Sequence, residues 1–129
     1  MSSVVLDASA LIALIKQETG ADKVAKVVRG ARIGAFNFAE VVSHFIYLGL
    51  APREVNGMLR PLPVEIIVGD ADLAREAGYL RAVTAQVGLS LGDRFCLALA
   101  KRERLPAWTA DRQWLKIAGA VEVEIILIR

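Results

Sequence analysis

Short apolar runs alternate with helical segments along the whole of this 129-residue chain, and this alternation limits the possible folds more than any other feature. The apolar runs cover residues 3–6, 32–36, 64–68, 107–109 and 121–128. Helical periodicity or helix-ending residues mark 8–16, 21–29, 37–48, 52–60, 70–86, 91–102 and 112–117. Strands that alternate with helices form a mostly parallel sheet. The pattern therefore predicts an α/β fold with a central, mostly parallel sheet, in a single domain of residues 1–129.

The composition favours a protein with a large core and a partner. Hydrophobic residues make up 55% of the chain, which is high for a small monomer and predicts a protein–protein interface. The net charge of +2 permits a nucleic-acid partner without requiring one. The single cysteine, Cys96, excludes an internal disulfide and a cysteine zinc site, and it favours a reducing, cytoplasmic location.

The apolar segments of the sequence do not have the character of a secretion signal or a membrane span. Segment 4–15 has no basic residues before it and is interrupted by Asp7. The longest apolar stretch, 35–51, contains Glu40 and His44, whose polar groups a bilayer would leave without hydrogen-bond partners. We therefore expect no membrane partner.

Four acidic residues lie at the junctions between the predicted strands and helices. Asp7 ends the first strand, Glu40 lies in the helix after the second, Asp93 is the third residue of helix 91–102, and Asp111 follows the fourth strand. In an open parallel sheet, ligands bind at the carboxyl ends of the strands, where the strand order reverses. We therefore expect the four carboxylates to converge at that edge, with the first and fourth strands as neighbours.

Each acid also has an ordinary structural interpretation as a helix cap. Acidic side chains in the first turn of a helix satisfy free N–H groups and interact favourably with the helix dipole. Glu40 stands three residues after Asn37, and Asp93 stands three residues after Ser90, which is the spacing of a capping box. Capping explains each acid singly, but it does not require the acids to converge.

Four carboxylates in one place need a counter-charge. Two unit charges about 4 Å apart repel by roughly 4 kcal/mol at an effective dielectric constant near 20, so clustered acids raise one another's pKa. A Mg²⁺ or Mn²⁺ ion offsets that repulsion, because hard cations prefer oxygen ligands. The cluster therefore predicts a divalent metal site that can activate water against a phosphodiester.

Four short motifs of the chain, taken in order, resemble those of the PIN-domain ribonucleases, in particular the VapC-type toxins of type II toxin–antitoxin modules. They are VLDAS at 5–9, NFAE at 37–40, SLGD at 90–93 with CLALA at 96–100, and TADR at 109–112. The resemblance spans the whole chain. It implies a three-layer α/β/α sandwich, metal-dependent endoribonuclease activity on RNA, and a small antitoxin protein as partner.

The resemblance also implies roles for the four acids, which would be the catalytic residues. Asp7 and Asp93 are expected to bind the Mg²⁺ or Mn²⁺ ion directly, and Asp111 to bind it directly or through water. Glu40 is expected to orient the attacking water or to act as general base. Some members of the family carry a further acid after the fourth motif, where this chain has Gln113, so the number of bound ions stays open.

Four more residues are candidates for supporting the site. The resemblance places Ser9 and Thr109 near the acids as polar support. Arg94 and Arg112 each follow one of the acids and could contact substrate phosphates. The alternative for both arginines is a solvated helix surface.

The helix at 37–48 is apolar around much of its circumference, which indicates burial on several sides. One sheet cannot cover all of these side chains. We therefore expect a partner to cover this helix, either a second copy of the chain in a homodimer or a segment of the antitoxin.

Two other functions are compatible with parts of the sequence. A catalytically inactive PIN-like module that binds RNA or protein would keep the fold without the metal chemistry. A phosphatase or phospho-acceptor domain also gathers acids at a sheet edge. A haloacid-dehalogenase-type site, however, needs a second acid two residues after Asp7, where this chain has Ser9. The intact set of acids favours the ribonuclease.

Overall fold

The computed structural model describes residues 3–129, which form five strands and eight α-helices. The strands are β1 (Val5–Leu6), β2 (Arg32–Gly34), β3 (Glu65–Ile67), β4 (Ala107–Thr109) and β5 (Ile125–Leu127). The helices are α1 (Ala8–Lys16), α2 (Ala21–Ala25), α3 (Ala35–Tyr47), α4 (Pro52–Leu59), α5 (Ala71–Tyr79), α6 (Arg81–Thr84), α7 (Leu91–Glu103) and α8 (Ala118–Val121). Two 3₁₀ helices cover Ala85–Val87 and Arg112–Lys116. None of these described helices has the length and apolar character needed to cross a bilayer.

The five strands form one sheet, in the order β3-β2-β1-β4-β5, and every neighbouring pair is parallel. The central strand is β1, in which Val5 pairs with Arg32 of β2 on one side and with Ala107 of β4 on the other. The chain proceeds outward from β1 to β3 and then returns to the other side of β1, so the strand order reverses between β1 and β4. The predicted parallel sheet, with its first and fourth strands as neighbours, is confirmed.

Helices cover both faces of the sheet, and each face has its own hydrophobic core. Successive side chains of a strand point to opposite faces. Accordingly, Val5 and Ala107 belong to one core, and Leu6 and Trp108 belong to the other. Residues of α5 and α7 complete the first core, and residues of α1, α3 and α4 complete the second. This is the α/β/α sandwich that the resemblance implied.

Helix α3 begins earlier than the sequence indicated. Gly34 ends β2 with an extended backbone (φ −67°, ψ 149°) and serves as the N-cap, so the helix starts at the next residue. Asn37 therefore lies inside the first turn, where it is 1% exposed. The prediction of Asn37 as the N-cap of a capping box with Glu40 is wrong, because the strand leads into the helix without an intervening loop.

The predicted helix 70–86 is interrupted. Asp70 caps α5 as its position indicated, but α5 ends at Tyr79 and is followed by α6 and a 3₁₀ turn. In α6 the Thr84 hydroxyl donates a hydrogen bond to the carbonyl oxygen of Leu80 (2.8 Å). A hydroxyl that bonds back to the preceding turn in this way bends a helix.

Three other elements are shorter or tighter than predicted. The predicted strand 121–128 is reduced to Ile125–Leu127, because α8 occupies its first position and Glu122 ends α8 in a left-handed conformation (φ 59°). The predicted helix 21–29 ends at Ala25, and the predicted helix 112–117 is a 3₁₀ helix. The 3₁₀ helix begins directly after Asp111, which is its N-cap.

Candidate active site

Asp7 is only 5% exposed and lies at the N-cap of α1, directly after β1. Its Oδ1 accepts hydrogen bonds from the Ala10 N–H (2.8 Å) and the Ser9 hydroxyl (2.7 Å), and its Oδ2 accepts one from the Thr109 hydroxyl (2.6 Å). Burial raises the pKa of Asp7 to about 6, although the three hydrogen bonds lower it, and the charge of Asp93 adds to the rise. The carboxylate is thus well oriented, and among the described residues no cationic group forms a salt bridge with it.

The hydroxyls of Ser9 and Thr109 connect the environments of Asp7 and Asp111. Ser9 Oγ accepts a hydrogen bond from the Ala110 N–H (2.9 Å), and Thr109 Oγ1 accepts one from the Asp111 N–H (3.0 Å). Asp111 in turn is the N-cap of the 3₁₀ helix that follows β4. The two hydroxyls therefore join the end of β1 to the end of β4, in the position that the resemblance gave them.

Asp93 forms the capping box with Ser90 that its spacing predicts. The Ser90 N–H donates to Asp93 Oδ2 (2.9 Å), and the Asp93 N–H donates to Ser90 Oγ (3.1 Å). Burial is the main cause that raises the pKa of Asp93; the bonds to Ser90 oppose it, the charge of Asp111 raises it further, and that of Arg94 lowers it. Asp93 is therefore both a helix cap and a member of a charge cluster.

Glu40 extends from α3 to the first turn of α7. Asn37 Nδ2 donates a hydrogen bond to Glu40 Oε1 (2.8 Å), and a Cβ atom added to Gly92 would lie 2.6 Å from the Glu40 carboxylate carbon. Burial raises the pKa of Glu40, the bond from Asn37 lowers it, and the charge of Asp93 raises it again. Contact with the backbone at Gly92 places Glu40 beside Asp93.

Asn37 was expected to pair with Glu40 as the N-cap of a capping box and not through its side-chain amide, and the contact of Glu40 with Gly92 was not predicted. Residues three apart share a helix face, so Asn37 and Glu40 had to be neighbours in any helix that contained both. Glycine is unfavourable inside a helix, so Gly92 in the first turn of α7 indicated a close approach.

The four acids converge at the carboxyl edge of the sheet, around Asp93. The charge of Asp93 acts on Asp7 and on Glu40, and the charge of Asp111 acts on Asp93. Burial raises the pKa of the Cys96 thiol well above its usual range, and the charges of Asp7, Asp93 and Glu40 raise it further. Within residues 3–129, none of the four acids forms a salt bridge. Arg94 lowers the pKa of Asp93 through its charge but forms no salt bridge with it, so the site is a concentration of negative charge that the described residues do not neutralise.

The two candidate arginines have different environments. Arg94 is 6% exposed, and its Nε donates a hydrogen bond to the Thr84 hydroxyl (2.9 Å), which bonds to Leu80. Its interpretation as a solvated surface residue is wrong, because α7 buries it against α6. A guanidinium held in this way has little surface to offer a phosphate. Arg112 is exposed and remains available for such a contact.

The donor atoms of the site fit a hydrated divalent ion better than a closed metal cage. In the described part of the chain, no group of three or more His, Cys, Asp or Glu side chains is arranged to hold an ion on its own. Mg²⁺ is commonly held by one or two carboxylates and keeps several waters, so it does not need such a group. Clustered carboxylate oxygens with raised pKa values are the ligands that a hard cation would stabilise.

Solved structures with the same fold come from toxin–antitoxin systems. The chain is similar to one from the DNA-bound VapBC of Salmonella typhimurium, with 20% identity over 100% of both chains and a TM-score of 0.77. It is similar to Mycobacterium tuberculosis VapC20, described as a toxin that cleaves the sarcin–ricin loop, with 14% identity over 88% of this chain and 93% of that one and a TM-score of 0.73. VapBC-5 of M. tuberculosis shares 25% identity over 98% and 99% of the chains, with a TM-score of 0.64.

A family model gives the same result from the sequence side. The PIN domain model matches residues 4–120, which include all four acids. Among curated proteins, no relative matches. With its parallel sheet, its acidic edge and this match over most of its length, the chain belongs to the PIN domain family.

Proposed function

We propose that this chain is a metal-dependent endoribonuclease that hydrolyses RNA phosphodiesters and acts as the toxin of a toxin–antitoxin pair. The observation that carries the proposal is the convergence of Asp7, Glu40, Asp93 and Asp111 at one sheet edge without a salt bridge among the described residues. Membership of the PIN domain family supports nuclease chemistry, and the similarity to VapC20 supports RNA as the substrate.

Asp7 and Asp93 would hold the Mg²⁺ or Mn²⁺ ion, with Asp111 directly or through water. When bound, such an ion lowers the pKa of water and stabilises charge on a phosphate. The chain's own contribution is orientation: Ser9 and Thr109 fix the two oxygens of the Asp7 carboxylate. This fixed geometry lowers the entropic cost of bringing the reactants together.

Glu40 would orient the attacking water and accept its proton. Burial raises the pKa of Glu40, the hydrogen bond from Asn37 lowers it, and the charge of Asp93 raises it again; a carboxylate with a raised pKa is a stronger base. Arg112, exposed beside Asp111, would contact a substrate phosphate.

The antitoxin would cover the exposed apolar side of α3. Phe36, Ile46, Tyr47 and Leu48 are 40–87% exposed, which is unusual for large apolar side chains on one short segment. A groove of about 590 Å³, lined by apolar side chains of α3, α4 and β3, continues this surface. An amphipathic segment of the antitoxin would fill such a groove.

A second copy of the chain would cover the separate exposed side chains of Tyr79, Val83 and Leu91.

The nuclease proposal is tested with purified protein, total bacterial RNA and Mg²⁺ or Mn²⁺, with the new RNA ends mapped by sequencing. We expect cleavage that EDTA abolishes and that Asp7→Asn or Asp93→Asn lowers by at least about 10²-fold. Asp22→Asn, which makes the same chemical change on the exposed face of α2, should cut at the parent's rate. Cleavage by both site variants at the parent's rate would exclude the assignment.

A catalytically inactive RNA-binding module is the second candidate function. It is favoured by the finding that no three potential ligands among the described residues are arranged to hold an ion. In that case calorimetry would detect RNA binding but no Mn²⁺ binding, and RNA would stay intact. Mn²⁺ binding by the parent that Asp93→Asn abolishes would favour the nuclease.

A further inference from the structure

We propose that Asn37 is a positioning residue, whose side-chain amide fixes the carboxylate of Glu40 against the first turn of α7, with Gly92 providing the space. This inference rests on the proposed nuclease function, in which Glu40 acts on the attacking water. It assigns Asn37 no contact with substrate or metal.

The amide of Asn37 bridges two elements. Asn37 Nδ2 donates to Glu40 Oε1 (2.8 Å) and to the carbonyl oxygen of Gly92 (2.9 Å), so both of its N–H groups are used. Gly92 lies 55 residues further along the chain and directly precedes Asp93. The bridge therefore sets the separation between the carboxylate on α3 and the acid on α7.

The two acceptors also fix which way the amide points. A flipped amide would place its oxygen against a carboxylate and a carbonyl oxygen, and both contacts would be repulsive. With only 1% of its surface exposed, Asn37 also has no room to turn toward solvent. The amide nitrogen of Asn37 therefore faces Glu40 and Gly92.

The position of Asn37 is poor for the stability of the fold. Its Oδ1 is buried and has no hydrogen-bond partner in the described structure, and a buried polar atom without a partner destabilises the folded state. Asparagine is also among the weaker helix formers. A purely structural role does not account for a residue with both costs, whereas the need to hold a carboxylate does.

Gly92 completes the arrangement from the other side. A Cβ atom at this position would lie 2.6 Å from both the carboxylate carbon and Oε1 of Glu40, closer than such atoms approach in proteins. The carboxylate therefore occupies the space where a side chain would be. Asn37 holds Glu40 in this space, and any residue larger than glycine would expel it.

The first test is the rate of RNA cleavage by Asn37→Asp and Gly92→Ala under saturating Mg²⁺. Asp has the shape of Asn but replaces the donor with an oxygen that repels Glu40, and Ala pushes the same carboxylate away from α7. We expect kcat to fall by about 10²-fold in each, the loss typical of a displacement near 1 Å, with KM within about threefold of the parent. The matched controls are Asn56→Asp, on exposed α4, and Gly78→Ala, where an added Cβ has open space; both should cut normally.

A double-mutant cycle separates positioning from a general structural effect. If Asn37 acts through Glu40, then adding Asn37→Asp to the Glu40→Gln variant should lower kcat by less than about threefold. The carboxylate that Asn37 positions is already absent from that variant, and the Gln amide can donate a hydrogen bond to the new Asp. A further 10²-fold loss in that background would overturn the proposal in favour of general damage to the fold. If Asn37→Asp does not fold, Gly92→Ala and its combination with Glu40→Gln give the same readout.

The outcomes also separate this inference from the proposed function. If the parent cleaves RNA and Asp93→Asn does not, while Asn37→Asp and Gly92→Ala cut normally, the positioning role is wrong and the nuclease assignment stands. If the parent itself leaves RNA intact with Mg²⁺ and with Mn²⁺, both proposals fall together.

Discussion

The hydroxyl of Thr109 lies 2.6 Å from Oδ2 of Asp7, although the two residues are 102 positions apart in the chain. The same hydroxyl accepts a hydrogen bond from the backbone N–H of Asp111 (3.0 Å). Thr109 is fully buried at the end of β4. Through its two hydrogen bonds, its hydroxyl oxygen orients Asp7 at the end of β1 and the backbone of Asp111 after β4. The geometry of the acidic edge therefore depends on a side chain that carries no charge.

Replacing Thr109 with Val should lower the free energy of unfolding by about 1–3 kcal/mol, because Asp7 Oδ2 loses a buried donor and the Asp111 N–H loses an acceptor. Thr109→Ser keeps the hydroxyl and should cost only about 1 kcal/mol for the lost methyl group. Urea unfolding of the metal-free proteins compares the two. A Val variant as stable as the parent would show that the hydroxyl is unimportant.

Asp7→Asn should become more stable than the parent as the pH rises. The pKa of Asp7 is raised from 3.8 to about 6 in the fold, so the folded state binds the proton more tightly than the unfolded chain does. The free energy of unfolding of the parent therefore falls by roughly 3 kcal/mol between about pH 4 and pH 6, as Asp7 loses its proton. The variant has no carboxyl group at this position and lacks this loss. Urea unfolding from pH 4 to pH 8 measures the gap, and a gap that does not change with pH would contradict the raised pKa.

Divalent cations should stabilise the parent and not the site variants. At a Mn²⁺ concentration of about 100 times Kd, the expected gain is about 2.7 kcal/mol, seen as a higher Tm that EDTA reverses. The gain should shrink below about pH 6, because protons compete for the carboxylate of Asp7. The same increase in Tm for Asp93→Asn would place the ion elsewhere.

The two arginines next to the acids should respond differently to substitution. Arg112 is exposed, so Arg112→Ala should raise KM for RNA by about 3–10-fold, near 1 kcal/mol of binding, and leave Tm unchanged. Arg94 is buried against Thr84, so Arg94→Lys should lower Tm with little effect on KM. A large change of KM in Arg94→Lys with a normal Tm would show instead that Arg94 contributes to RNA binding. Steady-state kinetics and thermal melting of both variants give the comparison.

Local patterns were enough to predict the alternating strands and helices of this fold, because apolar periodicity and helix breakers such as Gly88 are read within a few residues, whereas the three layers were implied by the family resemblance. The adjacency of β1 and β4 followed from general rules of parallel sheets, and with it the approach of Asp7 to Asp111. The hydrogen bond from Asn37 to the Gly92 carbonyl oxygen did not follow, because Gly92 indicated a close approach but the local sequence does not identify a partner 55 positions away.

The failures at helix boundaries have the same origin. The break between α5 and α6 accompanies the bonds of the Thr84 hydroxyl, which donates to Leu80 in the preceding turn and accepts from Arg94 of α7. The early start of α3 depends on how far β2 pairs with its neighbours, and Gly34 is the last residue in register with β3. Tertiary contacts decided both positions, and the propensities of the segments alone did not.

The order of the strands also determines how late in synthesis the acidic edge can form. At about 5–20 residues per second, synthesis separates Asp7 from Thr109 by roughly 5–20 seconds. During that interval β1 has no neighbour on its β4 side, and Asp7 has no hydroxyl on Oδ2. The acidic edge is therefore complete only when nearly all of the chain has left the ribosome, so the proposed nuclease would stay inactive for most of its own synthesis.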